Sequence, residues 1–192
     1  MIAGVILAAG AGRRFGAIKQ VALLDGEPLV RRACRTALAA GLSPVIVVIG
    51  AHATTVVAAV HDLPVRPLHN PHWQDGLSTS IHCAVHALAA DPVISALALL
   101  LADQPLISAA HVRALCDHRR AAGADLAATR HAATLGPPAV FARCLFPSLA
   151  TLTGDRGARD LIAASPRRVA IDLATDARDA DTPDALAALA RP

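Results

Sequence analysis

Lys19 is the only lysine of the chain, and it closes a glycine-rich segment that follows an apolar stretch. The other seventeen basic residues are all arginines. An ammonium group is a compact point charge that fits among phosphate oxygens, whereas a guanidinium is a wide planar fork. In a chain biased so strongly towards arginine, the one lysine indicates a position that needs an ammonium group. A surface lysine that remained by chance is the alternative.

The glycine-rich segment around Lys19 spans residues 7–20 and reads LAAGAGRRFGAIKQ. Its glycines allow backbone N–H groups to approach phosphates, and we expect the helix that follows to offer its N-terminus to an anion. The segment is not a Walker A motif, and it departs from G-x-G-x-x-G because its third glycine comes one residue late. A dinucleotide site would also need an acid after the second strand, where the chain has Gly50-Ala51-His52. The pattern therefore favours a phosphate site and disfavours NAD.

Two acidic motifs stand at positions where a metal ion could bind. Asp103 follows seven apolar residues, so its carboxylate is expected at the exposed end of a buried strand. Mg²⁺ prefers one or two carboxylates together with phosphate oxygens, which suits a strand end beside a phosphate loop. The second motif, Asp179-Ala180-Asp181-Thr182-Pro183, precedes a proline-started helix. A turn at Asp103 and a helix cap at Asp181 or Thr182 are the structural alternatives.

The composition indicates a folded chain, and its basic pI fits a pocket for phosphorylated small molecules at least as well as a nucleic-acid surface. With 192 residues, 54% hydrophobic and 17% charged, the chain is expected to form one domain over residues 1–192. A net charge of +3, no tyrosine and one tryptophan argue against the basic stripe and stacking platforms of nucleic-acid-binding proteins.

A membrane-spanning protein, a secreted protein and a zinc-binding protein are also disfavoured. No apolar run reaches the ~18 residues of a membrane span, and residues 1–9 lack the basic start of a signal peptide. We therefore expect a cytoplasmic protein without a membrane partner. The four cysteines form no C-x-x-C pair, which favours buried, reduced thiols over a zinc site.

Hydrophobic periodicity and the positions of glycine and proline predict alternating strands and helices. Strands are expected at 2–8, 45–49, 65–68, 95–101, 125–129, 137–141 and 168–172. Helices are expected at 28–40, 52–61, 78–89, 108–121, 143–150, 158–164 and from Pro183 onwards. This order predicts a three-layer α/β/α domain with a mostly parallel, Rossmann-like sheet, to which the 132–144 region adds an antiparallel strand. Ligands of such sheets bind at the carboxyl ends of the strands, where the glycine-rich segment and Asp103 are both expected.

Three motifs of the chain together resemble the MobA-like nucleotidyltransferases. They are Leu7-Ala8-Ala9-Gly10 through Lys19, Leu101-Ala102-Asp103-Gln104-Pro105 and Asp179-Ala180-Asp181-Thr182-Pro183. Three further motifs are closer still to the molybdenum cofactor cytidylyltransferase branch. They are Asn70-Pro71-x-Trp73-x-x-Gly76-Leu77-Ser78-Thr79-Ser80, Gly136-Pro137-Pro138 and Gly154-Asp155-Arg156-Gly157-Ala158-Arg159. The first motif is shared with many nucleotidyltransferases, whereas the combination, in order from about residue 3 to 188, is much more specific.

The resemblance implies a nucleotide-diphospho-sugar transferase-like fold and a defined reaction. The enzyme would take CTP and molybdenum-loaded molybdopterin, join CMP to the terminal phosphate of the molybdopterin and release pyrophosphate, with Mg²⁺ as cofactor. Such transfer depends mainly on positioning and on neutralising the charge of the transferring group. The product would pass to an acceptor molybdoenzyme or its chaperone.

The resemblance also implies roles for individual residues. Lys19 and Arg14 would face the triphosphate, and with Asp103 they are the expected catalytic residues. Asp103 and Asp181 are expected to hold Mg²⁺, with Asp179 as a weaker candidate. The expected nucleotide contacts are Leu7, Ala8, Ala9, Gly10, Gly12, Arg14, Lys19, Gly76, Ser78, Ser80 and Asp103.

Other positions carry expectations with open alternatives. The segment at residues 154–159 is expected near the acceptor, and a surface salt-bridge cluster is the alternative. The residues concerned are Asp155, Arg156 and Arg159. Trp73 either stacks on a ligand or anchors the fold. His82 and His86 lie four apart on one helical face, but no third ligand is near, so packing or solvent exposure is expected rather than zinc.

Two other functions fit the same motifs. One is an enzyme of the same fold with a different specificity, either guanylyl transfer to molybdopterin or nucleotidyl transfer to another phosphorylated acceptor. The other is a non-catalytic carrier or chaperone of the molybdenum cofactor. Such a carrier would tolerate loss of the metal carboxylates, so the presence of Lys19, Asp103 and Asp181 favours the enzyme.

Overall fold

The computed structural model describes residues 1–12, 15–173, 180 and 182–189. Its centre is a seven-stranded sheet with the order β5-β4-β1-β6-β8-β7-β9. A short antiparallel hairpin, β2 with β3, lies outside this sheet. The strands are β1 Ile2–Ala8, β2 Leu23–Leu24, β3 Glu27–Pro28, β4 Val45–Ile49, β5 Arg66–His69, β6 Ala96–Leu101, β7 Leu126–His131, β8 Thr134–Ala142 and β9 Arg168–Asp172.

The sheet is mostly parallel, as predicted. β8 runs antiparallel to both of its neighbours, β6 and β7, which confirms the antiparallel strand expected between residues 132 and 144. The other neighbouring pairs of the sheet are parallel. β8 is also longer than the sequence indicated.

Helices cover both faces of the sheet. They are α1 Leu29–Ala39, α2 Ala53–Val60, α3 Leu77–Ala89, α4 Ala109–Ala121, α5 Phe146–Leu149, α6 Arg159–Ala164 and α7 Pro183–Leu189. One buried cluster joins α1, α2 and α4 to the sheet, and a second joins α3, α5 and α6 to the opposite face. Because both faces are buried, strands such as β1 are continuously apolar, as in other parallel sheets. The three-layer α/β/α prediction is confirmed.

The chain changes direction across the sheet at β1. β4 pairs with one edge of β1 and β6 with the other, and Leu7 of β1 lies in register with Leu101 of β6. The segments that follow these two strands therefore leave the same edge of the sheet side by side. A reversal of strand order of this kind marks the crevice where α/β sheets bind their ligands.

The segment after the glycine-rich loop corrects one expectation. No α-helix follows the loop directly: a 3₁₀ turn, Lys19–Val21, and the β2–β3 hairpin come first, and α1 begins only at Leu29. An anion bound by this loop would therefore meet the loop's own N–H groups and the Lys19 side chain rather than the N-terminus of an α-helix.

Two further expectations concerned the burial of the cysteines and the lack of a membrane span. All four cysteines are free thiols, but only Cys34 and Cys116 are buried, whereas Cys83 is half-buried and Cys144 exposed. Burial raises the pKa of Cys34 to about 12, so this thiol is protonated at neutral pH. Among the helices of the described residues, none has the length and apolar character needed to cross a membrane.

Candidate active site

A cleft of about 380 Å³ opens where β1 and β6 end. Its walls come from the glycine-rich loop, the residues after β6 and the start of α3. They are Leu7, Ala8, Ala9, Gly10, Gly12, Phe15, Lys19, Gln20, Trp73, Gly76, Leu77, Ser80, Leu101, Ala102, Asp103 and Asp155. Most residues expected to bind a nucleotide therefore lie around one cavity.

Lys19 and Asp103 meet at the edge of this cleft. The Nζ atom of Lys19 donates a hydrogen bond of 2.7 Å to Oδ2 of Asp103. The side chains are 12% and 28% exposed, so the ion pair is partly shielded from water. Charges act more strongly on a bound ligand in such a place than on an open surface. The pair thus presents one cation and one anion to whatever enters the cleft.

Gln20, which the sequence did not single out, holds the glycine-rich loop. Its buried side-chain amide donates hydrogen bonds to the carbonyl oxygens of Ala8 (3.2 Å) and Gly10 (2.5 Å). Gly12 adopts φ +63°, and a Cβ there would lie 3.2 Å from Cβ of Lys19. Both features fix the backbone path between β1 and Lys19. In the sequence, Gln20 is only the residue after Lys19. No local pattern marks it as a side chain that holds the loop.

Trp73 and the end of β4 form a second wall of the cleft. A Cβ at Gly50 would lie 2.6 Å from Cβ of Trp73 and 2.9 Å from the carbonyl oxygen of Ala9. Only glycine fits this position without a shift of one neighbour. The N–H group of Ala51 also donates to Ala9 O at 2.9 Å, which ties the two loops together. Trp73 therefore anchors the fold and lines the cleft at once.

The start of α3 is joined to the loop at residues 154–157. Oδ1 of Asp155 accepts a hydrogen bond from the N–H group of Leu77 (3.3 Å), and Gly154 O accepts one from Ser78 (3.1 Å). A Cβ at Gly76, whose φ is +113°, would lie 2.8 Å from Gly154. An acid at a helix N-terminus stabilises the unpaired N–H groups there. Asp155 thus lines the cleft and caps α3.

The other residues expected near an acceptor lie apart from the cleft wall. Arg156 is exposed and forms an ion pair of 2.8 Å with Asp160, one helical turn away. Arg159 is exposed at the start of α6. Ser78 is buried and does not line the cleft, whereas Ser80 is buried and does.

The two histidines of α3 do not form a metal site within the part of the chain that the structure describes. His86 is exposed, and His82 is half-buried. Groups of three or more His, Cys, Asp or Glu side chains that could hold a metal are absent from the described ranges. Packing or solvent exposure rather than zinc stays a prediction for both histidines.

The Gly136-Pro137-Pro138 motif lies at the start of β8, beside the end of β7. The Thr129 hydroxyl donates to Pro138 O at 2.7 Å, and Nε2 of His131 lies 2.7 Å from Pro137 O. Nε2 of His111 in turn lies 2.9 Å from the Thr129 hydroxyl oxygen. Burial, and to a lesser extent the nearby His131, lower the pKa of His111.

The residues present fit a divalent cation that arrives with a phosphate group. Oδ1 of Asp103 is buried and accepts no hydrogen bond from the described residues. A buried acceptor without a donor is costly, and a cation would satisfy it. Mg²⁺ commonly binds through one or two carboxylates and substrate phosphates rather than through a protein cage.

Three of the expected site residues are not among those that the structure describes. They are Arg14, Asp179 and Asp181. Ala180, which stands between Asp179 and Asp181 in the sequence, is described, and its N–H group donates to Asp103 O at 2.9 Å. Ala180 is buried with Phe15, Leu24, Leu29 and Leu186 in a small cluster beside the loop.

Known proteins of similar sequence cover most of this chain. The nicotine blue oxidoreductase of Paenarthrobacter nicotinovorans is 34% identical over 179 residues, which is 86% of this chain and 83% of that protein. The purine catabolism protein PucB of Bacillus subtilis (strain 168) is 34% identical over 169 residues, or 83% of this chain and 79% of PucB.

Solved structures agree with the fold. Rv0371c from Mycobacterium tuberculosis H37Rv superposes with a TM-score of 0.85 and 29% identity, covering 98% of this chain and 97% of that one. A second structure of Rv0371c, in complex with manganese, has a TM-score of 0.79 and 28% identity, with the same coverage. The nucleotide-diphospho-sugar transferase-like architecture is thereby confirmed.

The family assignment follows from the same evidence. The model of the MobA-like NTP transferase domain matches residues 4–169, which include the glycine-rich loop, the Lys19–Asp103 pair and the start of α3. The resemblance to the MobA-like nucleotidyltransferases is confirmed by this match. The chain belongs to the MobA-like NTP transferases, a family of nucleotidyltransferases.

Proposed function

We propose that this protein transfers CMP from CTP to the terminal phosphate of molybdenum-loaded molybdopterin and releases pyrophosphate. The observation that carries the proposal is the Lys19–Asp103 pair, 2.7 Å between Nζ and Oδ2, at the edge of a cleft walled by the glycine-rich loop. The whole of residues 1–192 would act as one NTP transferase domain. The motifs at 70–80, 136–138 and 154–159 support the cytidylyl branch.

The glycine-rich loop and Lys19 would bind the triphosphate. Backbone N–H groups of residues 9–12 and the Lys19 ammonium would face the phosphate oxygens, with Arg14 as a further cation. When the nucleotide binds, the Lys19 ammonium would weaken its hydrogen bond to Asp103 and donate hydrogen bonds to the phosphate oxygens instead. Gln20 would keep the loop in the geometry that makes this contact. Positioning of this kind supplies much of the rate in phosphoryl and nucleotidyl transfer.

The acceptor phosphate would attack the α-phosphorus of CTP. The new bond joins an acceptor oxygen to that phosphorus, while the bond to the bridging oxygen of pyrophosphate breaks. A phosphate nucleophile is already ionised at neutral pH, so the reaction needs no general base. The protein's task is to hold both phosphates in line and to neutralise their charge.

A divalent cation fits the same arrangement. Asp103 would hold Mg²⁺ together with phosphate oxygens of the nucleotide, and Asp181, next to Ala180 in the sequence, would be a second carboxylate ligand. When bound, the cation would neutralise charge on the phosphates. The manganese complex of Rv0371c supports a divalent metal in a relative of this chain.

The acceptor would lie towards the loop at residues 154–159. Asp155 borders the cleft, and the exposed Arg156 and Arg159 follow it in the chain. Their guanidinium groups would suit phosphate and pterin oxygens. The product would then pass to an acceptor molybdoenzyme or its chaperone.

One relative is named as an oxidoreductase, which makes hydride transfer with a nicotinamide cofactor the alternative to test. The residues after β4, Gly50-Ala51-His52, include no acid that could bind the ribose of NAD. The first loop also lacks the spacing of the dinucleotide fingerprint. These features favour nucleotidyl transfer.

Pyrophosphate release tests the proposal. Purified protein is incubated with Mg²⁺, molybdenum-loaded molybdopterin and one of the four NTPs, and pyrophosphate is measured. We expect release with CTP that depends on the acceptor. Faster release with GTP would assign guanylyl transfer. Release from none of the four NTPs, together with NADPH oxidation in a separate incubation that contains NADPH and an oxidised dye as hydride acceptor, would support the oxidoreductase. Binding of the acceptor without release of pyrophosphate or oxidation of NADPH would support a carrier.

A further inference from the structure

Asn70 organises the polar contacts around Ser80, a residue of the cleft wall. It is buried and follows β5, and its N–H group donates to Ile49 O at 2.8 Å. Its side-chain Nδ2 donates to the hydroxyl oxygens of Thr79 (2.9 Å) and Ser80 (3.0 Å) at the start of α3. Its Oδ1 accepts a hydrogen bond of 2.9 Å from the N–H group of His72. One buried amide therefore joins three segments.

The orientation of the Asn70 amide is fixed by its partners. A backbone N–H group can only donate, so the side-chain atom that faces His72 must be the oxygen. The nitrogen is then on the side of Thr79 and Ser80. Both of its N–H bonds are occupied, one by each hydroxyl oxygen.

This orientation decides what each hydroxyl group does. The Thr79 hydroxyl accepts from Asn70 and can donate to Gly76 O (2.8 Å) or His72 O (2.9 Å). The Ser80 hydroxyl also accepts from Asn70, so its own hydrogen is left to donate. Among the described residues, the structure records no acceptor for that hydrogen. Ser80 lines the cleft.

We propose that Asn70 is a positioning residue that makes Ser80 a hydrogen-bond donor to the bound nucleotide. Ser80 would recognise an acceptor atom of the nucleotide, and the proposal rests on the CTP reaction proposed above. A pyrimidine offers such atoms at O2 and, in cytosine alone, at N3; in uracil N3 carries a hydrogen. A buried donor left without a partner disfavours the wrong ligand strongly.

The experiment reverses the polarity of the amide. In the Asn70→Asp variant both side-chain oxygens are acceptors, so the Ser80 hydroxyl would donate to Asp and turn its lone pairs towards the cleft. Affinities for Mg·CTP and Mg·UTP are measured by calorimetry without acceptor, in the wild type, Asn70→Asp, Ser80→Ala and the double variant. We expect Ser80→Ala to weaken CTP binding about three- to tenfold, the size of one hydrogen bond.

The double-mutant cycle separates the proposed role from general damage. Added charge and loop disturbance from Asn70→Asp persist in the Ser80→Ala background, whereas reorientation of the hydroxyl does not. We therefore expect Asn70→Asp to weaken CTP binding at least threefold more when Ser80 is present. Coupling with CTP alone assigns N3 as the acceptor atom, and equal coupling with UTP assigns an acceptor that both nucleotides share, which is O2, a ribose oxygen or a phosphate oxygen.

A matched control and two contrary outcomes complete the test. Ser165→Ala removes another buried serine hydroxyl, which donates to Leu161 O at the end of α6, and should leave CTP affinity unchanged. A wild type that binds CTP, with the same effect of Asn70→Asp in both backgrounds, would overturn the role of Asn70 and leave the CTP reaction standing. A folded wild type that does not bind CTP would overturn both.

Discussion

The Lys19 ammonium and the Asp103 carboxylate lie 2.7 Å apart, although 84 residues separate them along the chain. Lys19 comes from the loop after β1 and Asp103 from the segment after β6. The pairing of these two parallel strands brings both segments to one edge of the sheet. Because each charge stabilises the other in a partly shielded place, either one should be sensitive to substitution.

Lys19→Arg should be nearly as damaging as Lys19→Ala, although arginine keeps the charge. A guanidinium is wider than an ammonium, so it would be displaced from Asp103 and from the triphosphate. A displacement of about 1 Å can cost on the order of a hundredfold in rate when catalysis is mainly positional. The measurement is kcat/KM for CTP, with circular dichroism to confirm folding.

A matched exchange of basic residues serves as the control. Arg130 forms an exposed ion pair of 2.9 Å with Asp172, so Arg130→Lys should leave kcat/KM within about twofold, since such pairs contribute little. Retention of more than about a third of wild-type efficiency by Lys19→Arg would show that the lone lysine is not required as a lysine.

Asp103→Asn should abolish turnover and weaken divalent metal binding while the fold stays intact. Asparagine keeps the shape of the side chain but removes the charge that would attract a cation. Loss of several kcal/mol of transition-state stabilisation corresponds to at least a hundredfold in rate. Turnover is measured with Mg²⁺, and Mn²⁺ binding in the presence of CTP by electron paramagnetic resonance.

The control for Asp103 is Asp62, an aspartate that also pairs with a basic side chain but does not line the cleft. Asp62 forms a two-point ion pair with Arg31 on the surface, and this contact lowers the pKa of Asp62. Asp62→Asn should affect neither turnover nor Mn²⁺ binding. Activity of Asp103→Asn within about threefold of wild type would remove Asp103 from the metal site.

Gln20→Met should weaken CTP binding through the loop. Methionine has a similar length but donates no hydrogen bond, so the carbonyl oxygens of Ala8 and Gly10 lose a buried donor. The expected loss is about 1–3 kcal/mol of folding free energy, together with roughly tenfold weaker CTP binding. Urea unfolding and calorimetric titration measure the two effects.

Thr129→Val gives the comparison for Gln20. It also removes a buried hydrogen-bonding group, but at the contact between β7 and β8. We expect a similar loss of stability and unchanged CTP affinity. Equal CTP affinities of both variants and the wild type would show that Gln20 stabilises the fold without shaping the loop for the nucleotide.

Gly50→Ala should displace a wall of the cleft. The new methyl would lie 2.6 Å from Cβ of Trp73 and 2.9 Å from Ala9 O, and such overpacking costs about 1–3 kcal/mol. Trp73 is the only tryptophan of the chain, so its fluorescence reports the shift directly. Gly10→Ala, where no atom lies within 4 Å of the added Cβ, should leave stability and emission unchanged. An identical spectrum for Gly50→Ala would contradict the contact.

The order of strands and helices could be predicted because each element has a local signature. Apolar runs marked the strands, and α1 ends just before Gly41, which adopts the left-handed conformation, φ +81°, that glycine allows after a helix. The β2–β3 hairpin was missed, although Asp25-Gly26 between short extended segments is a turn signal; both residues have positive φ, as a type I′ turn requires.

The candidate site was predictable where a motif carried the chemistry and not where distant side chains combine. Lys19, Asp103, Gly76 and Ser80 were expected, and they border one cleft. The Gln20 amide joins residues ten or more positions apart, and no periodicity in the sequence reports such a contact. Asp155 caps α3 through the N–H group of Leu77, which lies 78 residues earlier in the chain. This contact could not be predicted for the same reason.

The most direct test of the proposed reaction follows the α-phosphate of CTP. CTP labelled on its α-phosphate or, separately, on its γ-phosphate is incubated with Mg²⁺, molybdenum-loaded molybdopterin and either the wild type or Asp103→Asn. Cytidylyl transfer predicts that the α-label enters the molybdopterin fraction, that the γ-label leaves as pyrophosphate in equal amount, and that Asp103→Asn does neither. A folded, CTP-binding wild type that moves no α-label above the level of Asp103→Asn would contradict the proposed function.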